Sequence, residues 1–145
     1  MTKNVLSIAG SDPSGGAGIQ ADLKVFHQFK CFGMAVPTLL TSQTAEKVFD
    51  VINIDPFFFK KQLEVLNLDK IDAIKIGALN SNGIIEIISE LLSNTRIPII
   101  IDPVIISSSG SIFFSTNELQ SYINYLLPLT HLLTPNKIEA ELLTK

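Results

Sequence analysis

Short apolar runs that end in turn-forming residues recur along the chain and predict buried β-strands. The first run covers residues 5–9 and ends at a glycine-rich cluster that begins with Gly10. The others cover residues 35–40, 73–76, 98–101 and 132–133, with a shorter candidate at 51–54. Strands of a parallel sheet are buried on both faces, so they contain continuous apolar runs rather than strict alternation. The runs therefore indicate a mainly parallel sheet.

The segments between these runs have apolar residues at every third or fourth position, which is the spacing of one buried helix face. This spacing predicts helices over residues 18–30, from Pro56 onward, over 82–92, and from Thr116, the expected N-cap, to about residue 127. The expected buried residues are Ile19, Leu23, Phe26 and Phe29 in the first helix and Phe59, Leu63 and Leu66 in the second. The alternation of strand and helix predicts an α/β fold with helices on both faces of the sheet.

Residues that are able to bind ligands follow the predicted strands. In parallel α/β sheets, ligands bind beyond the carboxyl ends of the strands. Here the segments after the strands are residues 10–18, 41–44, 77–80, 102–104 and 134–136, and they contain most of the candidate glycines, amides and carboxylates. The sequence therefore predicts one binding site along this edge of the sheet.

The bulk composition narrows the class of protein. The chain of 145 residues is 46% hydrophobic and 17% charged, as a folded domain should be. Its net charge of −3, without a basic run, argues against nucleic-acid binding, which needs clustered cations. No apolar stretch is long enough to span a membrane. Cys31 is the only cysteine, so we expect a small core residue and a cytoplasmic location.

The glycine-rich segment of residues 9–18 joins the first strand to the first helix. Glycines allow the backbone to approach a ligand closely, and free N–H groups at a helix start bind anions. The glycine pattern of dinucleotide-binding folds is missing here, and the chain contains no glycine-and-lysine phosphate loop. The residues alone leave a ligand-binding loop and a purely structural turn equally open.

Asp22 and Gln43 are candidates for binding a small polar molecule. Asp22 is expected in the first turn of the first helix, where it either complements the helix dipole or holds a hydroxyl at the rim of the sheet. Gln43 follows the second strand, and its amide can both donate and accept hydrogen bonds. That property suits the edge of an aminopyrimidine, but a loop amide that satisfies the backbone is the alternative.

Asp102 and the pair Asn136 and Glu139 are candidates for holding a cation or a phosphate. Asp102 closes an apolar strand, where a carboxylate needs a cation, a water network or a neighbouring helix to pair with. Asn136 and Glu139 lie three residues apart on one face of the last predicted helix. They either organise a hydrated Mg²⁺ near phosphates or form an N-cap and its N3 partner.

Residues 8–24 have the sequence IAGSDPSGGAGIQADLK, which closely resembles the opening of the hydroxymethylpyrimidine/phosphomethylpyrimidine kinases. Those kinases are ribokinase-like enzymes of thiamine biosynthesis. Further matches follow in the same order at residues 41–44, 75–77, 102–104, 109–110 and 134–140. The resemblance therefore covers the whole chain and implies a ribokinase-like α/β fold.

The resemblance implies a kinase that uses ATP and Mg²⁺. Its expected substrate is 4-amino-5-hydroxymethyl-2-methylpyrimidine, which is phosphorylated on its hydroxymethyl group and then from the monophosphate to the diphosphate. By this resemblance, Gln43 hydrogen-bonds the aminopyrimidine edge, Gly10 packs against the ring and Asp22 binds the polar groups of the substrate. Asn136 and Glu139 match an N-x-x-E motif that organises Mg²⁺ and the ATP phosphates. Glu139 and Asp102 are the expected metal residues. A homodimer is also expected.

The chain departs from the family pattern at Ala78, where the family usually has methionine, and at Ser108, which stands in the place of a lysine or threonine before Ser109-Gly110. Family members are also considerably longer. Residues 1–145 are therefore expected to be the N-terminal portion of one ribokinase-like kinase domain, apparently truncated, with the pyrimidine side of the site and no catalytic base. An inactive remnant that only binds, and a pyridoxal-type vitamin kinase, are the alternatives.

Overall fold

A sheet of six strands organises the computed structural model, which describes residues 2–105 and 114–144. The strand order is β3-β2-β1-β4-β5-β6. Every neighbouring pair is parallel except β2 and β3, which are antiparallel. The strands are β1 (Asn4–Ser11), β2 (Phe32–Gln43), β3 (Val48–Asn53), β4 (Ala73–Ile76), β5 (Ile99–Ile101) and β6 (Leu132–Leu133). The prediction of a mainly parallel α/β sheet is confirmed.

Helices connect the strands, as the periodicity predicted. They are α1 (Gly18–Gln28), α2 (Pro56–Glu64), α3 (Asn82–Leu92), α4 (Thr116–Ser121) and α5 (Lys137–Leu143). A 3₁₀ turn at Leu68–Lys70 precedes β4, and α4 continues into a π turn (Tyr122–Leu126) and a 3₁₀ turn (Leu127–Leu129). None of the helices in the described ranges combines the length and apolarity that crossing a bilayer requires.

Helices pack on both faces of the sheet because successive strand residues point in opposite directions. Leu6 and Ile8 of β1, with Ile74 and Ile76 of β4, belong to the main core that includes buried residues of α2 and α3. The residues between them point the other way: the Ser7 hydroxyl and the Lys75 ammonium both contact α1. One face of the sheet is thus a large apolar core, and the other holds polar groups beneath α1.

Two sequence predictions about the elements are wrong in detail. The second strand was expected over residues 35–40, but β2 continues to Gln43 because its polar end pairs with β3. Thr116 is the first residue of α4 rather than its N-cap, which is Ser115. The Ser115 hydroxyl accepts the N–H of Glu118 and the Glu118 carboxylate accepts the N–H of Ser115, so a capping box starts this helix.

Several side chains expected in the core lie outside it. Ile19, Leu23 and Phe26 of α1 are only half-buried. Phe29 was expected on the buried face of the first helix, but α1 ends at Gln28 and Phe29 is 76% exposed. The chain then turns through Lys30, whose φ is 58°, so the helical spacing no longer applies. Cys31 is half-buried at this turn and is not a core residue. In α2, Phe59 and Leu63 are buried as predicted.

Tyr122 is a buried polar residue in the core. Its side chain is fully buried, and its ring meets the Phe114 ring edge-on at a centroid distance of 5.2 Å. Its hydroxyl has no hydrogen-bond partner among the described residues. Burial raises the pKa of this phenol, and the negative charges of Asp102 and Glu139 add to the increase. The hydroxyl therefore stays protonated in a place where a phenylalanine ring would also fit.

We predict that Tyr122→Phe raises the free energy of unfolding by about 1 kcal/mol, because it removes a buried hydroxyl that has lost its water and has no partner among residues 2–105 and 114–144. Urea denaturation measures this change. Tyr125→Phe is the matched control, since Tyr125 lies in the same π turn and is 48% exposed; it should leave stability nearly unchanged. A Tyr122→Phe chain that is less stable than the unmodified chain would show that the hydroxyl has a stabilising partner.

Candidate functional site

A cavity of about 370 Å³ lies beyond the carboxyl ends of the central strands, where the sequence predicted a site. Its size is within the range of about 300–1,000 Å³ that is typical of small-molecule sites. Four of the six predicted site residues line it together: Gly10, Asp22, Gln43 and Asp102. Asn136 and Glu139 are not among its lining residues. The structure therefore brings the expected substrate residues and Asp102 together and leaves the N-x-x-E pair apart from them.

The Asp12 carboxylate organises the glycine-rich loop between β1 and α1. It accepts hydrogen bonds from the Ser14 hydroxyl and from the N–H groups of Ser14, Gly16 and Ala17, at 2.8–3.1 Å. Burial alone would raise the pKa of this carboxyl, but these hydrogen bonds outweigh it and hold the pKa below its usual value of 3.8. The loop is thus folded around one buried negative charge, which stays ionised at neutral pH.

The backbone of the loop returns close to β1 at Gly18. Gly18 has a φ of +59°, and a Cβ at this position would lie 2.3 Å from the carbonyl oxygen of Gly10. A larger residue would therefore separate the start of α1 from the end of β1. The Gln20 side chain also joins the two, because it accepts the N–H of Asp12 at 2.9 Å and donates to the Ser11 hydroxyl at 2.7 Å.

Gly10 forms a flat part of the cavity wall. It is buried near the end of β1, and a Cβ there would lie 2.7 Å from Cδ1 of Leu39 and 3.7 Å from Cβ of Ala78. The absence of a side chain leaves room for Leu39, which lines the same cavity. The second wall residue, Ala78, lines the same cavity and presents only a methyl group there.

Asp22 is held by two groups of the sheet. Its Oδ2 accepts a hydrogen bond from the Ser7 hydroxyl at 2.6 Å and one from the Lys75 ammonium at 3.1 Å. Asp22 is the fifth residue of α1, outside the first turn, so the alternative that it complements the helix dipole does not hold. Its side chain is only 16% exposed, yet it lines the cavity. The carboxylate therefore faces both the protein network and any bound molecule.

Lys75 reaches the cavity because Gly77 leaves room for it. The side chain of Lys75 points to the α1 face of β4, the same face on which residue 77 would carry a side chain. A Cβ at Gly77 would lie 2.9 Å from the Lys75 Nζ and 2.8 Å from the Cβ of Ala9. The ammonium thus lies over Gly77, at the carboxyl end of β4. It is 3.1 Å from Asp22 and 3.8 Å from Asp102.

Gln43 is the last residue of β2 and presents an uncommitted amide to the cavity. The ladder with β3 is irregular between Ser42 and Gln43, where the register shifts. Gln43 is half-buried, and its amide makes no hydrogen bond to another described residue. No contact among the described residues therefore supports the alternative that this amide satisfies the backbone of its own loop. An amide in this state can both donate to and accept from a ligand.

Asp102 lies after β5, opposite Asp22 across the Lys75 ammonium. Its N–H donates to the carbonyl of Ile76 at 2.9 Å, which continues the ladder between β4 and β5. Its side chain is 43% exposed, so the carboxylate is not buried as the apolar strand before it suggested. The charge of the carboxylate is thus shared between solvent and the Lys75 ammonium.

Asn136 and Glu139 form a capping box at the start of α5. The Asn136 side chain accepts the N–H of Glu139 at 3.0 Å, and Oε2 of Glu139 accepts the N–H of Asn136 at 2.9 Å. The capping interpretation of this pair therefore describes the contacts that the structure contains. Glu139 is nevertheless buried, with 4% exposure, which is unusual for a carboxylate whose function is only to cap an exposed helix.

The described residues contain no group of three or more histidine, cysteine, aspartate or glutamate side chains that could enclose a metal ion. Mg²⁺ commonly keeps several waters and uses one or two carboxylates together with the phosphates of its substrate. Asp102 and Glu139 are compatible with that mode of binding.

Sequence reasoning missed Lys75 and Asp12 as residues of the site. A lysine between Ile74 and Ile76, inside a buried apolar strand, is a rare placement and was a usable signal. The order Asp12-Pro13-Ser14-Gly15 is typical of a turn in which an aspartate accepts backbone N–H groups, and it was a signal for the loop. Ser108 and the Ser109-Gly110 pair lie outside the described residues.

Comparison with solved structures places this fold in a known class. The chain is similar to a phosphomethylpyrimidine kinase from Clostridium difficile, with a TM-score of 0.90 and 42% identity over 99% of this chain and 63% of that one. It is also similar to pyridoxal kinase from Bacillus subtilis, solved as an ADP complex, with a TM-score of 0.85 and 32% identity over 99% and 54%. The fold is that of the ribokinase-like kinases.

The sequence comparisons give the family within that class. The family model described as phosphomethylpyrimidine kinase matches residues 12–145. The chain belongs to the phosphomethylpyrimidine kinase family. Hydroxymethylpyrimidine/phosphomethylpyrimidine kinase from Escherichia coli is 41% identical over 139 residues, which cover 94% of this chain and 52% of that protein. The chain thus spans about half the length of the curated relatives it matches.

We predict that Asp12→Asn lowers the free energy of unfolding at pH 7 by about 2 kcal/mol, because the amide is neutral and has one acceptor oxygen where the carboxylate has two, so it cannot accept all the hydrogen bonds of the loop. Urea denaturation at pH 7 tests this. Asp69→Asn is the control: Asp69 is exposed on a 3₁₀ turn, and its loss should change stability by less than about 0.5 kcal/mol.

The difference in stability between the unmodified and Asp12→Asn chains should depend on pH. The pKa of Asp12 is lower in the folded chain than its usual 3.8, so its stabilising effect is complete above that value and is lost as the pH falls through the lowered one. The stability difference between the unmodified and Asp12→Asn chains should therefore narrow below about pH 4. A difference that stays constant down to pH 2.5 would contradict the assignment of an ionised, hydrogen-bonded Asp12.

Proposed function

We propose that this chain provides the pyrimidine-binding part of an ATP-dependent kinase of thiamine biosynthesis. The acceptor is 4-amino-5-hydroxymethyl-2-methylpyrimidine, followed by its monophosphate. The observation that carries the proposal is the cavity in which the uncommitted amide of Gln43, the bare backbone of Gly10 and the carboxylate of Asp22 meet. Membership of the phosphomethylpyrimidine kinase family supports the choice of substrate.

Each of the three residues has a separate task in this proposal. Gln43 donates to a ring nitrogen and accepts from the exocyclic amine, and the amide side chain has both groups that this pairing needs. Gly10 lets the ring lie flat against the backbone. Asp22 accepts a hydrogen bond from the hydroxyl of the hydroxymethyl group. This contact orients the oxygen that is to be phosphorylated. A fixed oxygen matters because phosphoryl transfer depends mostly on positioning and on charge stabilisation.

The nucleotide is proposed to lie on the β5–β6 side of the cavity. The ADP complex of the similar Bacillus subtilis pyridoxal kinase supports the use of ATP. Asn136, Glu139 and Asp102 would hold Mg²⁺ and the phosphates, with the ion bound through water and phosphate oxygens. When bound, Mg²⁺ supplies positive charge that stabilises the transferred phosphoryl group. No residue of this chain is proposed as the catalytic base.

We further propose that residues 1–145 are the N-terminal portion of a single ribokinase-like domain, consistent with the half of the relatives' length that the chain spans. A homodimer and a cytoplasmic location stay predictions. A pyridoxal-type kinase is the second candidate function, since the fold is also similar to that of Bacillus subtilis pyridoxal kinase. An inactive binding protein is the third.

We predict that the unmodified chain binds 4-amino-5-hydroxymethyl-2-methylpyrimidine and that Gln43→Ala weakens this binding about tenfold. The loss follows from the hydrogen bonds to the ring, which are worth about 0.5–1.5 kcal/mol each. Isothermal titration calorimetry measures both dissociation constants. Gln28→Ala is the matched control, because Gln28 is exposed at the far end of α1. Equal binding by the unmodified and Gln43→Ala chains would reject Gln43 as the ring-binding residue.

The other candidate functions are separated by two further measurements. Titration with pyridoxal in place of the pyrimidine tests the second candidate, and tighter binding of pyridoxal would favour it. ATP consumption by the purified chain with the pyrimidine present tests the third candidate. Turnover above that of the buffer would exclude a protein that only binds. Pyrimidine binding without turnover would assign this chain the acceptor site alone.

A further inference from the structure

The cavity is strongly anionic for a site that must accept two different substrates. Its charged lining residues are Asp12, Asp22, Asp102 and Lys75, so Lys75 is the single cation among the described residues that line it. A neutral alcohol enters such a cavity without an electrostatic penalty. The monophosphate of the same pyrimidine carries up to two negative charges, and it enters against three carboxylates.

The carboxylates differ in how far their charges are already balanced. Asp12 is enclosed by loop N–H groups and the Ser14 hydroxyl. Asp22 is paired with the Ser7 hydroxyl and the Lys75 ammonium at 2.6 and 3.1 Å. Asp102 is paired loosely, at 3.8 Å from Lys75, and is partly exposed to solvent. The contact between Lys75 and Asp102 is thus the one that a competing anion can replace at the lowest cost.

The position of Lys75 along the sheet also suits contact with a phosphate on the substrate. Its Nζ lies over Gly77, between the carboxylate that faces the substrate hydroxyl in the proposed function and the carboxylate at the end of β5. Under the proposed function the hydroxymethyl oxygen is held at Asp22, so a phosphate on that oxygen is within reach of the Lys75 ammonium, which lies 3.1 Å from that carboxylate. The flexible stem and compact charge of a lysine suit phosphate binding.

Resting on the proposed function, we propose that Lys75 is the phosphate-recognition residue for the second substrate. On binding of the phosphorylated pyrimidine, the Lys75 ammonium keeps its contact with Asp22 and exchanges its contact with Asp102 for a phosphate oxygen. With the unphosphorylated alcohol, the ammonium stays between the two carboxylates. Lys75 thus allows one cavity to hold both a neutral and an anionic acceptor.

The test compares two dissociation constants for each chain, one for the hydroxymethylpyrimidine and one for its monophosphate, by isothermal titration calorimetry. Lys75→Met should weaken monophosphate binding at least about tenfold more than alcohol binding, since a charge-assisted contact in a cavity is lost for one ligand only. Lys75→Arg, which keeps the positive charge, should restore most of the difference. For the unmodified chain, added salt should weaken monophosphate binding more than alcohol binding.

Lys24→Met is the matched control. Lys24 is a nearby lysine whose ammonium binds the Gly15 carbonyl at 2.7 Å on the exposed side of the loop, and it is not a lining residue of the cavity. This variant should change the two dissociation constants by the same factor. A selective loss of monophosphate binding in Lys24→Met, rather than in Lys75→Met, would assign the phosphate to Lys24 and overturn the proposal.

Four other outcomes would also overturn it. Equal losses for both ligands in Lys75→Met would mean that Lys75 only holds Asp22 in place. Unchanged binding of both ligands would mean that neither contact matters. An unmodified chain that binds the alcohol but not the monophosphate would reject the inference and leave the pyrimidine site intact, whereas binding of neither ligand would reject the proposed function as well.

Discussion

The ion pair between Asp22 and Lys75 connects the helix that covers one face of the sheet to the strand at its centre. Asp22 comes from α1 and Lys75 from β4, and the Ser7 hydroxyl of β1 donates to the same carboxylate oxygen. Removing one partner of a buried ion pair costs about 3–5 kcal/mol, because the remaining charge is left without water. This pair is slightly exposed, so the cost is lower, but the position of α1 over the cavity still depends on it.

The ion pair depends on two backbone positions where a side chain would not fit. The Lys75 ammonium reaches the rim only because residue 77 has no side chain, and α1 begins close to β1 only because residue 18 can adopt a positive φ beside the Gly10 carbonyl. The Asp12 carboxylate then closes the loop that joins these two positions. The ion pair, the two glycines and the loop that Asp12 holds together thus fix the position of the same wall of the cavity. The cavity is consequently a property of the fold before any ligand arrives.

Much of the fold could be predicted because it depends on patterns that are local in sequence. Apolar runs and helical spacing gave the order of strands and helices, while β2 was predicted too short because pairing with β3, and not hydrophobicity, extends it to Gln43. The rim residues were predictable because parallel strands end at one edge. The partners of Asp22 were not, since Ser7 and Lys75 are 15 and 53 residues away in sequence, and only the strand order brings them together.

The order of the strands also sets the order of the chemical groups along the rim. Gln43 ends β2, Gly10 lies near the end of β1, Lys75 reaches the end of β4, Asp102 follows β5 and Asn136 follows β6. Neighbouring strands are about 4.8 Å apart, so this row is about 19 Å long. Under the proposed function, the row runs from ring recognition through the reacting oxygen to the phosphates of the nucleotide. The absence of Asn136 and Glu139 from the cavity lining is then what this geometry requires, because residues that hold the nucleotide phosphates belong at the far end of the row from those that hold the ring.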